Sequence, residues 1–117
     1  MKLENDQAIE LLAGLAHDSR FRMFRELIRA HSPTPDEGGL AAGELARRCV
    51  IPAPTLSFHL KEMSRAGLVK SQRKGRSIIY RADIEVMENL VTFLLEDCCG
   101  GACDISINAA EGTEVST

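Results

Sequence analysis

Three of the four cysteines of this 117-residue chain lie within six positions, in the stretch EDCCGGACD at residues 96–104. Cys98, Cys99 and Cys103 offer thiolates, which are ligands for soft metal and metalloid ions and which can also be oxidised. The two glycines between them adopt left-handed backbone conformations without strain, so the chain can fold back and bring Cys103 to the adjacent pair. The spacing predicts a site for a soft ion or a redox-sensing thiol cluster.

The cellular compartment of the protein indicates whether these cysteines act as ligands or redox sensors or form structural disulfides. The first residues, MKLENDQAIELLAGLAH, lack the pattern of a signal peptide, and no apolar run approaches the roughly 18 residues of a membrane span. We therefore expect one cytoplasmic domain with no membrane partner. Thiols are kept reduced in the cytoplasm, which favours ligands or redox sensors over disulfides.

Charge is distributed unevenly along the chain, whose net charge is −3. Residues 1–43 carry 5 basic and 7 acidic side chains, a net charge of −2. Residues 44–81 carry 9 basic and 2 acidic side chains, a net charge of +7. Residues 82–117 carry no basic and 8 acidic side chains, a net charge of −8. A basic middle segment in an acidic protein is expected of a surface that contacts the phosphate backbone of nucleic acid, although a basic solvated face would look the same.

The amino-terminal third has the apolar periodicity of helices. Steps of three and four residues predict two helices, with Asp18 capping the second, and the stretch HSPTPDEGG at residues 31–39 predicts a loop. A short third helix follows, in which Cys49 shares one face with Leu45. We expect Cys49 to pack as a small buried hydrophobe.

The stretch PAPTLSFHLKEMSRAGLV predicts a fourth helix that ends at Gly67, with Leu56, Leu60 and Met63 facing inward. Its outward face carries an exposed aromatic side chain among polar and basic ones, which suits a DNA groove. The predicted DNA-contacting residues of this helix are Pro54, Thr55, Ser57, Phe58, His59, Lys61 and Arg65. His59 lies at the edge of the inward face, where it is structural or contacts phosphate.

Two extended runs, residues 69–73 and 77–81, predict a hairpin that turns at Gly75. Its tip is basic, and we expect Arg73, Lys74 and Arg76 to contact phosphates or the minor groove. A helix, a turn, a second helix and a basic hairpin occur in the order of a winged helix-turn-helix. The predicted fold class is therefore mainly α with a small β-hairpin.

The last helix, from about Asp83 to Asp97, is apolar on more than one face. One small domain cannot cover such a helix, so we expect a homodimer with Leu90, Val91 and Leu94 at the centre of the interface. The predicted division is a DNA-binding and dimerisation domain at residues 1–97, followed by a cysteine segment and flexible tail at residues 98–117.

The stretches ELARR, PAPTLSFHLKEMSRAGLV and KGRSIIYRAD together resemble the ArsR/SmtB family of bacterial metal-responsive repressors, over roughly residues 8–99. The resemblance implies a dimeric winged-helix protein that binds operator DNA and releases it when an inducing ion binds. It implies no enzyme activity.

Two sensor patterns of that family are absent from this chain. The third helix lacks the Cys-x-Cys pair of many arsenic-responsive members, and the last helix lacks the histidines of zinc-responsive members. Cys98, Cys99 and Cys103 resemble instead the cluster by which a subset of the family senses trivalent arsenic at the end of the last helix. Three sulfurs also suit a pyramidal metalloid better than tetrahedral zinc.

We therefore predict a repressor whose inducer is As(III) or Sb(III). The alternatives are a regulator that senses another soft metal (Cd, Pb or Zn) and one that senses thiol oxidation.

Overall fold

The structure is a computed structural model that describes residues 3–34 and 36–98. In chain order, these residues form α1 (Asn5–Leu15), α2 (Asp18–Arg29), β1 (Leu40–Ala41), α3 (Ala42–Cys49), α4 (Ala53–Ala66), β2 (Val69–Lys74), β3 (Ser77–Ala82) and α5 (Ile84–Leu94). A short helix, a turn, a longer helix and a hairpin follow one another as predicted. This order confirms the winged helix-turn-helix fold.

The N-cap of helix α2 lies one residue earlier than predicted. The N-cap is His17, whose Nδ1 accepts a hydrogen bond from the backbone N–H of Ser19 at 3.2 Å. Asp18 is the first residue within the helix, and its carboxylate pairs with Arg22 at 3.1 Å instead. The prediction that Asp18 caps α2 is therefore wrong, because the imidazole of the preceding residue already supplies the acceptor that a cap requires.

Helices α3 and α4 form the helix-turn-helix pair. The chain leaves α3 through Val50, which has a φ of +55°, and enters α4 at Ala53. Pro54 lies in the first turn of α4, where no N–H is required, and Gly67 ends the helix with a φ of +91°.

The sheet has the strand order β1-β3-β2 and is antiparallel throughout. Strands β2 and β3 form the predicted hairpin, with Lys74 opposite Ser77 and a φ of +63° at Gly75 in the turn. The two-residue strand β1 adds to the free edge of β3, pairing Leu40 with Tyr80. Sequence periodicity could not reveal β1, since two residues establish no alternation.

The core lies between the helices and the root of the hairpin. Its fully buried side chains are Met23, Leu27, Leu45, Leu56, Met63, Leu68 and Leu90. The structure corrects the assignment of Leu90 to a dimer interface: the residue is 2% exposed and already packs in the core of its own chain. Helix α5 also ends three residues before Asp97, which has a φ of +66° and has left the helical conformation.

Candidate nucleic-acid interface

Helix α4 presents two chemically different faces. Leu56, Leu60 and Met63 are each at most 3% exposed, so the apolar face is anchored in the core. The opposite face is open to solvent and carries Pro54, Thr55, Ser57, Phe58, Lys61 and Arg65. Phe58 is 55% exposed although it is a large apolar side chain. The burial of the inner face therefore fixes which side chains α4 can offer to a ligand.

His59 belongs to the inner face. It is 5% exposed, its Nδ1 accepts a hydrogen bond from Arg20 Nε at 3.2 Å, and its ring lies 4.7 Å from that of His17. Burial lowers the pKa of His59, and His17 and Arg20 lower it further. Of the two roles expected for His59, this position supports the structural one, because the ring joins α4 to the start of α2.

The hairpin tip is basic and exposed. Arg73, Lys74 and Arg76 are all open to solvent at the end of β2 and in the turn. Lys74 Nζ donates a hydrogen bond to the backbone carbonyl of Asp36 at 2.6 Å, which ties the tip to the loop before β1. The predicted wing residues therefore share one exposed end of the sheet, and one of them has a partner within the chain.

Arg81 holds the same loop against the root of the hairpin. Its Nε donates to the carbonyls of Glu37 and Gly38 at 3.3 and 3.2 Å, and its Nη1 donates to Gln72 Oε1 at 2.5 Å. Gly39 allows this approach, since a Cβ there would lie 2.7 Å from Arg81 Cγ. Sequence reasoning missed Arg81 because its partners lie far away in the chain; the Gly38-Gly39 pair was the only local sign of a close contact.

One of the four cysteines lies in the core, and the other three form the predicted inducer site. Cys49 is 3% exposed, which confirms that it packs in the core, and burial raises the pKa of its thiol, with Glu26 adding to the rise and Arg22 opposing it. Cys98 follows α5 and is partly exposed. Cys99 and Cys103 lie outside the described residues, and residues 3–34 and 36–98 contain no group of three His, Cys, Asp or Glu side chains that could hold a metal.

Helices α1 and α5 expose apolar side chains on the outside of the molecule. Ile9 and Leu12 on α1 are 63% and 43% exposed, and Leu94 at the end of α5 is 56% exposed. Val91 is half-buried. In the part of the chain that the structure describes, no helix is long and apolar enough to span a membrane.

Comparisons with known proteins agree with this geometry. Residues 15–72 match a family described as a helix-turn-helix domain. The chain is 32% identical over 94 residues to the HTH-type transcriptional regulator YgaV of Escherichia coli, a match that covers 80% of this chain and 88% of that protein. It is 35% identical over 72 residues to the arsenic resistance transcriptional regulator ArsR1 of Pseudomonas putida, covering 62% of this chain and 51% of that protein.

Among solved structures, an ArsR-like transcriptional regulator from Rhodococcus sp. RHA1 superimposes with a TM-score of 0.66 at 27% identity, covering 76% of each chain. These similar proteins are transcriptional regulators by name, which agrees with the expectation that this chain is not an enzyme.

Proposed function

Because this chain belongs to the ArsR/SmtB family of winged-helix transcriptional regulators, we propose that it is a repressor that As(III) or Sb(III) releases from operator DNA. It binds the operator as a homodimer and dissociates when the metalloid binds Cys98, Cys99 and Cys103. The observation that carries DNA binding is the outer face of α4, which stays exposed while its inner face is buried in the core.

The chemistry of that face suits direct reading of the major groove. Ser57 and Thr55 can hydrogen-bond to base edges, Phe58 can contact thymine methyl groups, and Lys61 and Arg65 can bind guanine or phosphate. The basic wing tip adds phosphate or minor-groove contacts at the side of the site. Both surfaces come from neighbouring elements of the chain, since α4 is followed directly by β2.

The homodimer is supported by the apolar side chains on α1 and α5. Ile9, Leu12 and Leu94 are exposed apolar side chains, and burying them against a second copy removes this apolar surface from water. A dimer also pairs two copies of α4, as the two halves of a palindromic operator require.

The inducer proposal is supported by the chemistry of the three cysteines and by where they lie. Three thiolates match a pyramidal metalloid ion, and Cys98 lies just after α5, at one end of the proposed dimer interface. The name of the P. putida relative, an arsenic resistance regulator, agrees with this inducer. By linkage, an ion that binds the DNA-free form more tightly lowers operator affinity, and a few kcal/mol of preference changes that affinity more than tenfold.

The test is release from DNA. An operator is first selected from a random duplex library by the purified protein, and the complex is then titrated with arsenite, antimonite, zinc, cadmium and lead while fluorescence anisotropy is followed. We expect release by arsenite and antimonite. Cys98→Ser, Cys99→Ser and Cys103→Ser should each keep operator binding and lose release, because a hydroxyl is a poor ligand for a soft ion.

Cys49→Ser is the matched control, since its thiol lies in the core, and it should respond like the wild type. Release by zinc, cadmium or lead in preference to arsenite would show that the inducer is another soft metal. Release by peroxide alone would show that the protein senses thiol oxidation. A wild-type protein that selects no sequence would contradict the repressor itself.

A further inference from the structure

A pocket of about 350 Å³ lies on the surface between α2 and α3, outside the predicted DNA-contacting residues. Four arginines line it: Arg22, Arg25, Arg29 and Arg48. Phe21, which is 54% exposed, and the buried Cys49 complete one wall. Four guanidinium groups around one small pocket are unusual on an acidic protein, and guanidinium is the side chain best suited to phosphate.

The charge of the pocket is positive despite its one acid. Glu26 is the only acidic residue of the lining, against four arginines, so the formal charge of the lining is +3. Glu26 pairs with Arg29 at 2.7 Å and lies 3.7 Å from Arg48, whose closer partner is Glu44, outside the lining, at 2.8 Å. Arg22 pairs with Asp18, whose side chain is 84% exposed and therefore weakly attractive.

Arg25 is the arginine of the pocket without a partner. It is exposed on α2, and its side chain forms none of the side-chain hydrogen bonds or ion pairs found among residues 3–34 and 36–98. Its guanidinium therefore needs no rearrangement within the chain before it binds an anion.

Only a short stretch of chain separates the wall of the pocket from the start of α4. Arg22 Nη1 donates to the carbonyl of Cys49 at 2.8 Å, so the wall of the pocket is fixed to the last residue of α3. Ala53 begins α4 four positions later, and four residues span at most about 14 Å. The major groove is about 12 Å wide. The backbone phosphates at its edges therefore lie no farther than this from a helix that enters it, a distance comparable to the chain span between Cys49 and Ala53.

We propose that this pocket binds a phosphate of the DNA backbone beside the groove that α4 enters, with Arg25 in direct contact. The inference rests on the proposed function, since it presupposes that α4 enters DNA. It extends the contact surface to α2, which precedes the helix-turn-helix pair, and it assigns Arg22, Arg29 and Arg48 to the walls that position the phosphate.

The experiment measures the salt dependence of binding with the full chain and a random-sequence duplex of about 30 base pairs, so that no operator is required. Anisotropy titrations between about 50 and 200 mM salt give the slope of log affinity against log salt, which becomes shallower by about 0.9 for each phosphate that the protein no longer neutralises. We expect Arg25→Gln to flatten the slope by about that amount and Arg25→Lys, which keeps the charge, to retain the wild-type slope.

Lys70→Gln is the matched control. Lys70 is also exposed, and it lines a different pocket, between the loop before β1 and α5. It should leave the slope unchanged, and an equal flattening would show an effect of overall charge and overturn the inference. Lys61→Gln on the outer face of α4 tests the proposed function separately. If Lys61→Gln flattened the slope and Arg25→Gln did not, only the inference would fail; if the wild type bound no DNA, both would fail.

Discussion

At the scale of single residues, His59 shows how one buried polar group positions α4, the helix proposed to enter DNA. Its Nδ1 accepts a hydrogen bond from Arg20 Nε, and its ring lies against that of His17, which caps α2. A protonated Nδ1 cannot accept a hydrogen bond, so the contact between α4 and α2 requires the neutral ring. The position of His59 in the sequence showed only that it lies near the inner face; its partner is 39 residues away.

The lowered pKa of His59 predicts that acid destabilises the fold. The unfolded chain takes up a proton on His59 near the ordinary pKa of 6.5, whereas the folded chain does so only at a lower pH. The contribution of the neutral ring is therefore fully present above about pH 6.5 and is lost as the pH falls from that value through the folded-state pKa. Urea unfolding of the wild type and of His59→Asn, whose Oδ1 can replace Nδ1 as acceptor, should show a smaller loss of stability in the variant between about pH 7.5 and 5.5. An identical pH dependence in both would contradict this role.

At the scale of elements, the parts that sequence predicted well are those whose signals are local. Helix α4 has its proline in the first turn, its apolar period and its terminal Gly67 within one continuous stretch, and the hairpin has its turn glycine at Gly75. Strand β1, the loop contacts of Arg81 and the inward orientation of Leu90 depend on contacts distant in sequence. Amphipathic periodicity showed that α5 is apolar on more than one face, but it could not tell which face the chain itself covers.

The turn between α3 and α4 contains the clearest strain. Val50 has a φ of +55°, a conformation that disfavours β-branched residues, and its side chain is 86% exposed and gains little from packing. Val50→Gly should therefore raise the free energy of unfolding, by about 1 kcal/mol after the flexibility of glycine in the unfolded chain is counted. The measurement is the midpoint of denaturant unfolding.

Ser64→Gly, at an exposed position within α4, provides the control for the Val50 substitution. It should lower the stability by about 0.5–1 kcal/mol, because glycine at an ordinary helical position only adds entropy to the unfolded chain. A Val50→Gly protein no more stable than the wild type would show that the turn holds no strain.

At the scale of the whole molecule, the proposed DNA-binding and dimerisation surfaces are formed by different elements. The outer face of α4 and the wing lie in the segment of net charge +7, whereas α5 opens the segment of net charge −8. The negative charge of the carboxy-terminal segment disfavours its contact with the phosphates of DNA. In the proposed mechanism, the cysteines that follow α5 in the sequence act on DNA through the relative position of the two chains. Their spacing predicts a soft-ion site, and this stays a prediction because Cys99 and Cys103 lie outside the described residues.

The dimer provides the last prediction, because the structure separates residues that a helical pattern groups together. Leu94 is 56% exposed at the end of α5, whereas Leu90, one turn earlier, is 2% exposed. Leu94→Glu should therefore leave the chain folded and weaken association by about 2 kcal/mol or more, roughly 30-fold. Leu90→Glu should unfold the chain instead, because it buries an unpaired charge in the core. Sedimentation together with circular dichroism distinguishes the two effects.

Phe21→Glu, at a side chain of similar exposure on α2, should stay dimeric. A wild-type monomer at micromolar concentration, or a Leu94→Glu protein as dimeric as the wild type, would show that this end of α5 does not hold the two chains together.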